Sequence, residues 1–319
     1  MKIFIILIIL AVIIFIIASS IMILKNIMKP IHIKLEDVYN DEKLREDYGI
    51  LDKKNPLDYG FEYREVVFCS HKKRLKGWYI PSKEKRSENV IILLHGRTSN
   101  GLVVLEYLDM IKEKGLNEEY AIFMPDLRGS GDSDNGLTAL GYYYKEDIFS
   151  AINYMKNAFN KKKIVLYGFS MGALGSAYAI EKYYNKLLEK DIEIEALILD
   201  SPLSNSKERI IDRVKDLPLS SFYIKYAPFL FNLVIGNNLK KLHLGYLLNK
   251  IPVPTLILQS LEDKTTKYSV LKDELKKLKE KKNIYLQIFE TGEHVTIYRV
   301  NKEKYSLVIE KFFEMFKEK

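Results

Sequence analysis

A chain of 319 residues, 47% hydrophobic and 29% charged, has material for one large folded domain or two small ones and is no disordered tract. Its formal charge of +8 is scattered over Lys72–Arg74, Lys83–Arg86, Lys161–Lys163 and Lys276–Lys282, without the aromatic interleaving of a nucleic-acid reader. No nucleic-acid partner is therefore expected, and an anionic membrane surface is the more natural use of the charge.

The first segment, "MKIFIILIILAVIIFIIASSIMILK", is apolar from Ile3 to Leu24 except for Ser19 and Ser20. As a helix that run spans roughly 33 Å, about the hydrocarbon thickness of a bilayer. A cleaved signal peptide is the rival, with Ala18 and Ser20 as the small residues before a cut. The apolar run continues past that point as "IMIL", which favours an uncleaved anchor over residues 1–25, in the cell membrane. Lys2 flanks one end and Lys25, Lys29 and Lys34 the other, so the side on which the rest of the chain lies stays open. Residues 26–58 are charged and weakly periodic and are expected to form a juxtamembrane linker with some helix.

From residue 59 to 319 the pattern is that of one α/β domain. "REVVFCS" and "LKGWYIP", joined by "HKKR", predict a hairpin. Cys69 lies in the first of these strands, where a buried position is expected. As the single cysteine it excludes an intramolecular disulfide and a cysteine-rich metal centre. Apolar strands then alternate with helices: "NVIILLHG", "GLVVLEYLDMIKEKG", "YAIFMPD", "YYYKEDIFSAINYMKNAF", "KIVLYGFS", "MGALGSAYAIEKYYNKLL", "IEALILDSP", "VPTLILQS" and "KNIYLQIFE". Continuous apolar strands between helices imply a mostly parallel central sheet covered by helices on both faces, with the hairpin as an antiparallel edge. A terminal amphipathic helix offers Leu307, Ile309, Phe312, Phe313 and Phe316 to that sheet. The alternation breaks from about 204 to 250. That aromatic-rich interval reads as a helical cap insertion, with Phe222, Tyr223, Tyr226, Phe229 and Phe231 expected mostly in its core.

The chemistry centres on "KIVLYGFSMGALGS", in which Ser170 stands between Gly168 and Gly172 at the end of a strand. A serine needs a base to become a nucleophile, and the base needs a group that orients it and balances its charge. In a parallel sheet all three belong on loops at one end. Of the five histidines, only His294, in "FETGEHVTIY", follows the last strand. For the acid, Asp200 in "LILDSP" and Asp263 in "LILQSLEDKTT" both follow late strands.

"IILLHGRTSNG", "MPDLRGSGDSD", "LYGFSMGA", "PTLILQSLEDKTT" and "TGEHVTIY" resemble the successive motifs of the α/β-hydrolase superfamily, from about Arg64 onward. The pattern is similar to membrane-anchored bacterial hydrolases near the serine aminopeptidase-like and monoacylglycerol lipase-like groups. The resemblance implies an α/β-hydrolase fold with Ser170 as nucleophile, Asp263 as acid and His294 as base, in the chain order of that fold. It implies an oxyanion hole from the backbone N–H groups of Met171 and Arg97, and a bracing turn at Asp126, Arg128 and Gly129. Gln259-Ser260 stands where the family usually has a His-Gly pair, which leaves Glu262 as a rival to Asp263. Ala173 replaces a frequent glycine. The expected activity is hydrolysis of a carboxylic ester, acyl-chain or lipid esters included, with no metal or organic cofactor. The alternatives are an amide-cleaving peptidase, for which Glu208, Asp212 and Asp216 would supply an acidic pocket, and a non-catalytic membrane-tethered binding module.

Overall fold

The computed structural model describes residues 2–50, 53–280 and 283–317. Leu51 and Asp52 of the linker, and Lys281 and Lys282 of the last basic run, lie outside the described residues. Eight strands form one sheet: β1 (Arg64–Ser70), β2 (Lys73–Ile80), β3 (Asn89–Leu94), β4 (Tyr120–Pro125), β5 (Lys163–Phe169), β6 (Glu193–Asp200), β7 (Thr255–Ser260) and β8 (Ile284–Phe289). Their order is β1-β2-β4-β3-β5-β6-β7-β8. β1 and β2 run antiparallel to their neighbours, and the other six are parallel. This is the α/β-hydrolase fold.

The central strands are apolar at successive positions because each buries both faces. Val90, Ile92 and Leu94 of β3 join a layer under the helices Tyr144–Phe159 and Met171–Leu188. Ile91 and Leu93 join the opposite layer with Tyr107, Leu108 and the terminal helix Lys302–Lys317. In that helix Ile309, Phe312, Phe313 and Phe316 are buried as expected, whereas Leu307 is exposed, because it lies about 200° round the helix from the buried Tyr305. The edge strand departs from expectation too. β1 alternates, with Val66, Phe68 and Ser70 inward, so Cys69 is exposed rather than buried. The hairpin turn is only His71 and Lys72, because β2 begins at Lys73.

After β3 the chain moves to one side of the sheet for β4 and returns to the other side for β5. The reversal lies between β3 and β5, and ligands bind at such switch points in open parallel sheets. Between residues 204 and 250 the structure places helices Ser206–Val214, Ser220–Ile235 and Leu244–Leu248, with one isolated bridge between Asn205 and His243. Tyr223 and Phe231 are buried and Phe222 is half-buried. Tyr226 and Phe229 are exposed, next to exposed Leu233 and Val234, so this aromatic set is only partly core.

The N-terminal apolar segment is one helix, Lys2–Met28. Its residues from Ile3 to Met28 are long and apolar enough to cross a membrane, with 6% of the most apolar stretch buried. Its last turns are not free: Leu24, Ile27 and Met28 pack into the hydrophobic layer of the domain. The Ser19 Oγ lies 2.7 Å from the Tyr223 hydroxyl, and the N–H groups of Thr138 and Ala139 donate to Met28 O at 2.9 and 3.1 Å.

Candidate active site

β5 ends at Phe169 and the next helix begins at Met171, so the whole reversal is made by Ser170 at φ 53° and ψ −112°. An L-residue adopts that conformation only under strain of about 1–3 kcal/mol, which the surrounding structure must hold. The flanking glycines act by absence of bulk. A Cβ on Gly172 would sit 2.2 Å from Leu94 O, and one on Gly168 would sit 2.6 Å from the Ala173 Cα. Without side chains at both, the helix closes tightly on the ends of β3 and β5, and the Ser170 hydroxyl is lifted above the sheet.

His294 reaches the same place from the loop after β8. Its Nε2 lies 2.8 Å from Ser170 Oγ, and its Nδ1 lies 2.8 Å from Asp263 Oδ2. Asp263 follows β7 and is 2% exposed. Burial pushes its carboxyl up, but the hydrogen bond and charge of His294, with the N–H and hydroxyl of Thr266, more than reverse this and hold it below its ordinary value. The N–H groups of Thr265 and Thr266 both donate to Oδ1, at 2.8 and 2.7 Å, and the Thr266 hydroxyl donates to Oδ2 at 2.7 Å.

The rival carboxylates stand elsewhere. Glu262 accepts from the Gly292 N–H at 2.9 Å, which braces the loop carrying His294. Asp200 is fully buried, where it accepts from the Tyr305 hydroxyl at 2.5 Å and from Ser201 Oγ at 2.7 Å. Burial pushes it up to about 6 against those hydrogen bonds. In the place of the usual His-Gly pair, Gln259 donates to Thr266 O at 3.0 Å and so supports the loop of Asp263.

The turn after β3 comes within contact of the serine: a Cβ on Gly96 would lie 3.1 Å from Ser170 Cβ. Buried His95 fixes this turn. It accepts from the Leu127 N–H through Nε2 at 2.9 Å and donates from Nδ1 to Gly96 O, also at 2.9 Å. Burial lowers its pKa to about 4, so it is a neutral brace. The backbone N–H groups of Met171 and Arg97 have no acceptor among the described residues, Met171 because it opens a helix. The turn at 126–131 is held by buried groups. Asp126 Oδ1 accepts the Gly101 N–H at 2.7 Å, and Arg128 grips Asp147 through Nε and Nη2 at 2.9 and 2.7 Å. Gly129 in this turn has φ 74°.

A cavity of about 240 Å³ opens over Ser170 and His294, lined also by Arg97, Thr98, Leu140, Met171, Leu203, Arg209, Arg213, Thr265 and Thr266. A smaller recess of about 90 Å³ shares Leu203, Arg209, Thr265 and Thr266 with it. Glu208 and Asp212 line that recess and not the serine's cavity, and Asp216 lines neither. Arg209 and Arg213 escaped the sequence reading; their only signal was an i, i+4 spacing on a helix that no motif covers. Among the described residues no group of three or more His, Cys, Asp or Glu side chains is placed to hold a metal ion.

Comparison with known proteins agrees with the fold. A family model described as alpha/beta hydrolase fold matches residues 89–219. The chain is 24% identical over 250 residues to the Bacillus subtilis protein YqkD, covering 75% of each. It is 30% identical over 138 residues to Escherichia coli YfhR, covering 41% of this chain and 44% of that one. Among solved structures, an esterase of Pyrococcus furiosus, Pf2001, superposes with a TM-score of 0.63 at 22% identity, over 82% of this chain and 95% of its own. Est1E from Butyrivibrio proteoclasticus, with ferulic acid bound, superposes with a TM-score of 0.56 at 19% identity, over 80% and 100%.

Proposed function

Starting from its α/β-hydrolase fold, we propose that the chain is a membrane-anchored serine hydrolase cleaving carboxylic esters through an acyl-enzyme on Ser170. The observation that carries this reading is His294, which spans from Ser170 Oγ to Asp263 Oδ2 with 2.8 Å on either side. His294 Nε2 takes the serine proton as Oγ attacks the ester carbonyl carbon. The tetrahedral oxyanion is received by the N–H groups of Met171 and Arg97, and each such donor contributes about 2.7–4 kcal/mol to lowering the barrier. The imidazolium is stabilised by Asp263, whose depressed pKa keeps it ionised. His294 then protonates the departing alkoxide, the C–O bond breaks, and a water activated by the same imidazole releases the acid and restores Ser170.

An esterase among the structural neighbours supports the ester over the amide, as does a serine cavity that has, among the described residues, no carboxylate to hold a peptide's amino terminus. The membrane anchor rests on the helix Lys2–Met28, whose Ile3–Phe15 stretch is largely exposed. It gains support from the exposed Phe229, Leu233 and Val234 on the helix that packs beside it. That placement suits esters of apolar acyl chains drawn from a bilayer.

The test uses the full chain in detergent micelles, with and without Ser170→Ala. The wild type is expected to react with a fluorophosphonate and to hydrolyse 4-nitrophenyl esters, and the variant to do neither. Equal labelling of the two, or inertness of the folded wild type towards every activated ester, overturns the proposal and favours a binding module. Partition into vesicles, lost on deleting residues 2–20, tests the anchor separately.

A further inference from the structure

Among the described residues, three guanidinium groups and no carboxylate line the cavity of Ser170. Arg97 comes from the loop after β3. Arg209 and Arg213 stand one turn apart on the helix Ser206–Val214. Like charges at that spacing destabilise a helix by about 0.2–0.5 kcal/mol unless something neutralises them, and here little does. Asp212 Oδ2 approaches Arg209 Nη1 only to 3.5 Å, while its other oxygen lies 2.6 Å from Lys215. The second contact of Arg209 is a long one, 3.4 Å to Thr265 O. Arg97 donates through Nη2 to Asn26 O at 2.8 Å, and its buried Nε has no acceptor among the described residues. Arg213 is exposed and has no carboxylate partner among the described residues. Burial first, and then the charges of Arg213 and Arg209, push Arg97 down to about 10. Asp263, a buried acid whose charge acts on Arg209, is already engaged by His294. Leu140, Met171 and Leu203 supply the apolar remainder of the wall.

Accepting the serine-hydrolase reading above, we propose that the ester reaching Ser170 carries a fixed negative charge, a phosphate or a carboxylate, held at the mouth of the cavity by Arg209 and Arg213. Both anions match the planar fork of a guanidinium, which binds their paired oxygens with directional, charge-assisted hydrogen bonds. An anion there relieves the repulsion among the three cations, so binding energy is gained from an arrangement that costs stability when empty. Two sources supply the same chemistry. The charge sits on the alcohol side in a lysophospholipid with a terminal phosphate, or on the acyl side in a half-ester of a dicarboxylic acid.

Two matched substrate pairs separate these sources, using the full chain in neutral detergent micelles. The first pair is lauroyl lysophosphatidate against monolauroylglycerol. The second is mono-4-nitrophenyl adipate against 4-nitrophenyl hexanoate. In one pair the kcat/KM ratio of charged to neutral member is expected to be about ten or more, and that pair identifies the side bearing the charge. Arg213→Gln lowers this ratio about three-fold, and Arg209→Gln with Arg213→Gln brings it close to one. Arg213→Lys keeps most of it, and 0.5 M salt compresses it, as expected for a partly exposed ion pair. A ratio at or below one in both pairs overturns the proposal, as does a ratio that the folded double variant leaves in place. Failure of the hydrolase reading is told apart by binding of lysophosphatidate and monolauroylglycerol to Ser170→Ala. Saturable preference for the anion, lost in the double arginine variant, sustains the anion site even if no ester is cleaved. Equal binding of both ligands removes it.

Discussion

Replacing Asp263 by Asn probes the arrangement most sharply, because the effect follows from where the two carboxylate oxygens point. Oδ1 accepts two backbone N–H groups, from Thr265 and Thr266, and neither can turn away. An asparagine must therefore place its carbonyl oxygen there and turn its NH2 towards His294 Nδ1. The amide then donates, Nδ1 becomes an acceptor, and the ring proton moves to Nε2, the atom that should receive the proton of Ser170. The charge is lost as well. A carboxylate about 4 Å from the imidazolium charge contributes about 4 kcal/mol at an effective dielectric of 20, or about 10³ in rate. With the wrong tautomer added, kcat is expected to fall about 10³–10⁴-fold with KM changed far less. Asp263→Ala frees the tautomer and is expected to keep more activity than Asp263→Asn. The assay is hydrolysis of 4-nitrophenyl butyrate, run beside the rate of fluorophosphonate labelling. Asp263→Asn retaining a tenth or more of kcat would refute the reasoning, and a matching loss in Glu262→Gln or Asp200→Asn would show which carboxylate does the work.

Three further outcomes are expected. Gly172→Ala drives a methyl group into Leu94 O and His95 O, at 2.2 and 2.4 Å, both backbone atoms. It should cost about 3 kcal/mol or more and abolish labelling of Ser170, and a Tm within about 2 °C of wild type would contradict this. Arg128→Ala leaves Asp147, which is fully buried, without its bidentate partner and should cost about 3–5 kcal/mol in a denaturant titration. A combined Arg128→Met, Asp147→Leu variant is expected to recover most of that loss. Asp200, pushed up to about 6 by burial, binds its proton more tightly folded than unfolded. Its contribution is therefore present below about pH 4 and lost as pH rises through about 6, by up to about 3 kcal/mol. Asp200→Asn should flatten the fall in Tm between pH 4.5 and 7, and an unchanged slope would exclude Asp200 as its source.

The local chemistry of the chain was enough to announce the sheet and the serine. Strands buried on both faces must be apolar at every position, so "VIILL" and "ALIL" are recognisable wherever they end up in space. A strained turn between strand and helix needs small residues on both sides, so Gly168, Ser170 and Gly172 declare themselves. His294 was legible because only one histidine follows the last strand. Partnership was legible only through the family resemblance and not from the residues themselves, since it depends on where loops distant in sequence converge. Asp200, Glu262 and Asp263 all follow late strands. Only the folded chain hands Asp200 to Tyr305, Glu262 to the Gly292 N–H and Asp263 to His294. Edge exposure belongs to the same class: Cys69 sits in an apolar run, yet β1 has one covered face, and the pleat turns the sulfur outward. The helix Tyr268–Leu275, between β7 and β8, lies in a lysine-rich stretch whose periodicity is weak, and it is stabilised by burial of Leu271 and Glu274. The arginines show the division most clearly. Composition spread the positive charge evenly along the chain. Tertiary structure alone gathered Arg97, Arg209 and Arg213 around one serine, because the loop after the third strand and the helix after the sixth both follow the carboxyl ends of parallel strands that flank the serine's own strand.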